Sequence, residues 1–284
     1  QVYNIPWILL IYYVMTVYDL FFWVSLLGTV GVTYLNVGGL AGLKMLIFGN
    51  SNSQYSKVNQ QEEDAETQAQ TQPHQLVKVR RSLQLSYLAV YGFMVAGDWL
   101  QGPYVYALYE AYGWERWIIA VLFVVGFASS LIIGTVIGSM ADRVGRRRSV
   151  LVYALLYIAS CLSKHNKNFF PLVLGRILGG AATSLLMSVF ESWLVCEYHQ
   201  HEKQSPQAAQ VFDNSSLSHT MSLATLLNFV VAIVCGIVAQ MAVDFVPFGV
   251  DPAKSDGTWF FGGYTAPFDL AIVSLAIGSY LALH

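Results

Sequence analysis

Charge is what this sequence has least of. Asp, Glu, Lys and Arg make up 11% of its 284 residues, against about 25% in an ordinary soluble domain. That deficit excludes a water-soluble globular enzyme. The formal net charge of −2 gives no global field to gather nucleic acid. Cysteine is scarce too: Cys161, Cys196 and Cys235 lie far apart, in or beside apolar segments, so neither a disulfide framework nor a metal cluster is expected. There is no Gly-rich phosphate loop ending in Lys-Ser/Thr, no dinucleotide fingerprint and no nucleophile-base motif, so neither ATP-driven pumping, a cofactor nor catalysis has support. The first apolar run has no basic stretch before it, unlike a secretory signal.

What is present is apolar length. Hydrophobic residues make up 55%, in runs of about 20, the length that crosses roughly 30 Å of hydrocarbon as a helix. Unbroken rather than alternating runs point to an all-α, polytopic membrane bundle, because lipid leaves no water to satisfy open backbone groups. An N-terminal transmembrane segment is expected within 1–48, with 32–48 either prolonging it, lying at the interface or spanning again. Residues 49–82, rich in Gln and acidic residues, are too polar to offset ordering entropy and read as a disordered linker. Six candidate helices follow: Leu83–Tyr109, Trp117–Met140, Ser149–Leu162, Phe169–Trp193, Ser216–Val243 and Tyr264–His284. Two hundred and eighty-four residues hold six or seven spans, which leads to the expectation of a fragment or half-molecule.

Lysine and arginine set the orientation. Lys57, Lys78, Arg80, Arg81, Arg143, Arg146, Arg147, Arg148 and Lys203 fall on one side, and only Arg116, Lys164, Lys167 and Lys254 on the other. The first side, with the linker, is expected to be cytoplasmic. Tyr104, Tyr106 and Tyr109 would belong to the opposite aromatic belt. His199, His201 and Glu197 superficially suggest a metal site, but no compact ligand set completes it and a solvated cytoplasmic loop is expected.

Buried polar residues are costly in lipid, at about 2.5–3.5 kcal/mol or more for a central charge, and so call for a partner or a wet cavity. Asp98 lies about 22 Å into its helix by rise alone, with Tyr91, Gln101 and Val105 on the same side. It either lines a cavity or binds a neighbouring helix. Arg176, Gly180, Thr183, Met187 and Glu191 share a helix face at three- and four-residue spacing, beside a small-residue edge made by Gly175 and Gly179. Arg176 stays charged and offers a planar fork to an oxyanion, or it bridges to Asp98 or another helix. Glu191, roughly 22 Å from Arg176 along the helix, suits a gate, a proton relay or a structural bond. Asn228 is placed to bridge helices; Asp19 in the first span reads as an interhelical hydrogen bond.

The sharpest motif is Gly138-Ser-Met-Ala-Asp142-Arg143-Val-Gly145-Arg146-Arg147-Arg148. The arginines alone would anchor a cytoplasmic turn; Gly138, Asp142 and Gly145 need more. Gly138 allows close helix approach, Asp142 bonds the adjacent arginines or faces a helix N-terminus, and Gly145 permits the turn. The motif resembles the loop signature between the second and third helices of the major facilitator superfamily, where it is thought to steady one state of a rocking transporter. Ala96-Gly-Asp98-Trp99-Leu-Gln101-Gly102-Pro103-Tyr104, Val173-Leu-Gly175-Arg176-Ile-Leu-Gly179-Gly180, Phe190-Glu191-Ser192-Trp193 and Ala266-Pro267-Phe268-Asp269 are similar to the eukaryotic molybdate-anion transporter family, from about Leu83 to His284.

The resemblance implies an N-terminal six-helix half of a facilitator fold within 83–284, plus one extra N-terminal helix. It also implies uptake of molybdate or a related oxyanion by alternating access, with the plasma membrane the expected location. The C-terminal six-helix half would come from the same gene or a partner. Asp98, Gln101, Arg176 and Glu191 are the candidate substrate or coupling residues, and Gly138, Asp142, Arg143, Gly145, Arg146 and Arg147 the conformational loop. A carrier for another small solute such as a sugar, and a non-transporting scaffold or sensor, remain alternatives.

Overall fold

In the computed structural model, the backbone is described for residues 63–283, and side chains for 75–136, 145 and 148–283. The expectations for 1–62, including the first span and Asp19, lie outside these residues. Eight α-helices form the described chain: α1 Glu63–Gln101, α2 Val105–Ala111, α3 Arg116–Val144, α4 Arg146–Ser163, α5 Phe169–Glu202, α6 Pro206–Val211, α7 Asn214–Phe245 and α8 Ala266–Leu283. Among the described residues the only β-pairing is an isolated bridge, Asn166 to Trp259. All six expected helices are present.

Their boundaries shift for local reasons. Helix α1 begins at Glu63, twenty residues before the expected start and inside the stretch read as a linker. Its Glu, Gln, Ala and Lys residues are good helix formers, and extending an existing helix avoids a new nucleation step. At its other end Gly102 and Pro103 tighten the chain into one 3₁₀ turn before α2, since proline lacks the N–H an α-helix would use. Between α3 and α4 the turn rests on Gly145, at φ 92° and ψ 132°, a region that side chains disfavour. Gly145→Ala is expected to cost about 1–3 kcal/mol, measurable as a lowered melting temperature in detergent.

Four segments, Arg116–Val136, Phe169–Glu202, Asn214–Phe245 and Gly263–Leu283, are long and apolar enough to cross a membrane; Arg148–Ser163 is apolar but shorter. Their outward surfaces are greasy, as with Leu131 at 73% exposure and Phe170 at 86%. In water such a surface would aggregate; in lipid it is solvated.

Small residues and backbone-directed hydroxyls hold the bundle, because lipid tails supply no hydrophobic drive between helices. Helices α3 and α5 meet where Gly180 abuts the Gly126 carbonyl; Ser129 donates to the Ile177 carbonyl and Ser184 to that of Ser130, both at 2.7 Å. Helices α4 and α5 meet along the expected Gly175 and Gly179 edge, with Ser160 donating to the Gly175 carbonyl at 2.6 Å. Tyr153 of α4 donates to the Met94 carbonyl of α1 at 2.9 Å, and Ser274 of α8 to that of Phe93 at 2.7 Å. Asn228 of α7 bridges to α1, accepting from Trp99 Nε1 at 2.9 Å.

Candidate functional site

Arg176 enters from α5, seven residues after Phe169. Its Nε donates to the Leu122 carbonyl at 3.1 Å, and the guanidinium lies 4.6 Å from the centre of the Phe123 ring. Gly126, one turn on in α3, makes room: a Cβ there would come within 2.7 Å of an Arg176 Nη. So α3 cradles the guanidinium with a carbonyl, a π-face and a missing side chain, all compatible with positive charge. Among the described residues Arg176 has no carboxylate partner.

Asp98 is engaged elsewhere, accepting a short hydrogen bond from Tyr157 of α4. The alternative that Arg176 bridges to Asp98 is therefore not the arrangement seen. Gln101 is buried beside Cys161 and donates to its own helix, at the Gly97 carbonyl, 3.0 Å away. Asp98 and Gln101 thus meet α4, at Tyr157 and Cys161, and neither is hydrogen-bonded to Arg176 among the described residues. Glu191 is exposed, on the side of α5 that also carries exposed Met187. Of the loop signature, Gly145 has the positive φ its turn requires; the side chains of Asp142, Arg143, Arg146 and Arg147, and Gly138, lie outside the described side-chain positions.

Two residues near Arg176 escaped the sequence reading. Tyr109, expected in an outer belt, is wholly buried, and Lys164, counted only among the basic residues opposite the cytoplasmic side, is 1% exposed. Tyr112 donates to the Lys164 carbonyl at 2.5 Å and Trp114 to that of Lys167 at 3.0 Å. The 112–114 and 164–167 turns are thereby tied together, which carries Lys164 inward. Position next to a helix end cannot signal this. His165 was likewise unremarked; its Nε2 lies 2.9 Å from Asp269 Oδ1, within the family-like Ala266–Asp269 stretch. The histidines expected in a solvated loop sit in the last turns of α5. His199 pairs with Glu202 at 2.8 Å, His201 stacks on Phe212, and Glu197 accepts from Trp193.

Residues 56–284 match the family model described as sugar transporters with twelve transmembrane segments. The chain belongs to the major facilitator superfamily. Among curated relatives of this facilitator chain, the molybdate-anion transporter of Takifugu rubripes is 34% identical over 203 residues, covering 72% of this chain and 38% of that protein. That of Danio rerio is 34% identical over 200 residues, covering 70% and 37%, and that of Xenopus tropicalis 37% over 174 residues, covering 61% and 36%. The chain thus spans little more than a third of the length of the curated relatives it matches. No solved structure gives a significant match.

Proposed function

We propose that this chain supplies the N-terminal six-helix half, residues 83–284, of a secondary transporter for small oxyanions, foremost molybdate, acting by alternating access in the plasma membrane rather than by catalysis. The observation that carries the reading is Arg176. A part-buried guanidinium in an apolar bundle, without a carboxylate partner among the described residues, is unfavourable on its own. An oxyanion supplies the missing charge, and the Arg176 Nη groups supply the planar fork that recognises it. The relatives named molybdate-anion transporters narrow the substrate class. Facilitator sites form between two six-helix halves near the midplane, so the C-terminal half comes from the same gene or a partner. Asp98, steadied by Tyr157, shapes the field near α1, and exposed Glu191 suits a gate facing the second half.

In a molybdenum-starved host, expression of the intact protein is expected to raise molybdenum accumulation, measured by inductively coupled plasma mass spectrometry. Excess tungstate and sulfate should compete, and hexoses should not. Competition by hexoses, with indifference to the oxyanions, would select the sugar-carrier reading instead.

A further inference from the structure

Lys164 Nζ is buried and has no hydrogen-bond partner among the described residues, and the same holds for the Tyr109 hydroxyl. The amine lies 5.9 Å from the centre of the Tyr109 ring and packs against Gly175, the residue before Arg176; a Cβ on Gly175 would sit 2.9 Å from Nζ. The groups around it can be named element by element. From α5 comes Arg176, from α2 Tyr109, and from α4 Cys161. In the adjoining turn His165 is occupied by Asp269, while Lys167 donates to the Ser255 carbonyl. Tyr112 bonds only the Lys164 backbone. Lys164 has no carboxylate within ion-pairing distance among the described residues.

An ammonium in this position is desolvated and repelled by a neighbouring guanidinium, both of which favour the neutral amine. Burial first, and then Arg176, push the Lys164 amine down to about 7, with Cys161 acting in the opposite direction. At neutral pH the side chain therefore sits close to balance between its two forms. A negative charge arriving at Arg176 would tip that balance.

We infer that Lys164 is a proton-coupling residue, taking up a proton from water when an oxyanion binds at Arg176, so that anion and proton are carried together. The step forms one N–H bond on the amine at the expense of one O–H bond of hydronium, and nothing is oxidised or reduced. The inference rests on the oxyanion reading of Arg176. Reciprocity fixes its size: if the anion strengthens the hold on the proton about tenfold, protonation strengthens the hold on the anion about tenfold as well. The sign follows. Binding should tighten as pH falls from 8 to 6, an interval in which molybdate stays a dianion.

The test is titration calorimetry of the intact purified protein with sodium molybdate at pH 7, in two buffers of different ionisation enthalpy, with dissociation constants measured from pH 6 to 8. Wild type should show buffer-dependent heat from proton uptake and an affinity up to about tenfold higher at pH 6 than at pH 8. Lys164→Arg, permanently charged, should bind with a flat pH profile and no proton uptake. Lys164→Met should also be flat, but weaker. His165→Gln should keep the wild-type slope, since the nearby imidazole is not the coupled group. Molybdate binding by wild type without buffer-dependent heat would overturn the coupling while leaving the anion reading intact, even were both Lys164 variants unfolded. Proton uptake that persists in a folded Lys164 variant would also overturn it. Failure of wild type to bind molybdate at any pH would sink the anion reading and the coupling with it.

Discussion

Arg176→Gln in the intact protein is expected to lower molybdate accumulation at least about tenfold at equal surface expression. Charge-assisted hydrogen bonds contribute about 1.5–3 kcal/mol each, or roughly ten- to a hundredfold in affinity. Glutamine keeps a polar tip but removes the charge and the fork. Arg176→Lys should also reduce uptake. It retains the charge, yet a single ammonium cannot both satisfy the Leu122 carbonyl and present two parallel donors to an oxyanion. The stacking on Phe123 would be weakened as well. Unchanged accumulation in both variants, with surface biotinylation confirming equal delivery, would remove Arg176 from the substrate path.

Gly180→Val should damage folding rather than transport alone. Its side chain would be driven into the Gly126 carbonyl, with Ser129 Oγ only 2.8 Å and Ser130 N 2.9 Å from the new Cβ. Backbone on the opposite helix cannot swing aside, so α3 and α5 must separate and the hydrogen bonds from Ser129 and Ser184 lengthen. Overpacking of this kind costs about 1–3 kcal/mol or more, and a loss of at least about 3 °C in melting temperature in detergent is expected. Gly236→Ala is the matched control. A Cβ there meets nothing within 4 Å, and alanine is the better helix former, so its melting temperature should hold or rise. Equal stability of Gly180→Val and wild type would contradict the close α3–α5 approach.

Much of this was legible in the chain because it is local. Gly145 had to permit a turn between two spans, and it carries the positive φ; Gly175 and Gly179 had to form a small edge, and α4 lies against it. Asn228, an amide in a greasy helix, needed a partner and has Trp99. The start of α1 was not legible, because a polar segment reads as uncommitted until a neighbouring helix extends into it. The partner of Asp98 was not legible either. Tyr157 stands 59 residues away, and helix periodicity gives the face a residue occupies without saying which helix that face meets.

The sequence by itself determined the apolar solvent, the order of the helices after residue 82, the sharp turn at Gly145 and the family, since each follows from composition, run length or contiguous residues. Only the tertiary structure decided which charges are compensated. It gave Asp98 a tyrosine, left Arg176 without a carboxylate among the described residues, and folded Lys164 and Tyr109 inward from the ends of their helices. The reason is that burial and pairing depend on contacts between distant helices. In a bundle so poor in charge, those contacts decide where an anion would be welcome.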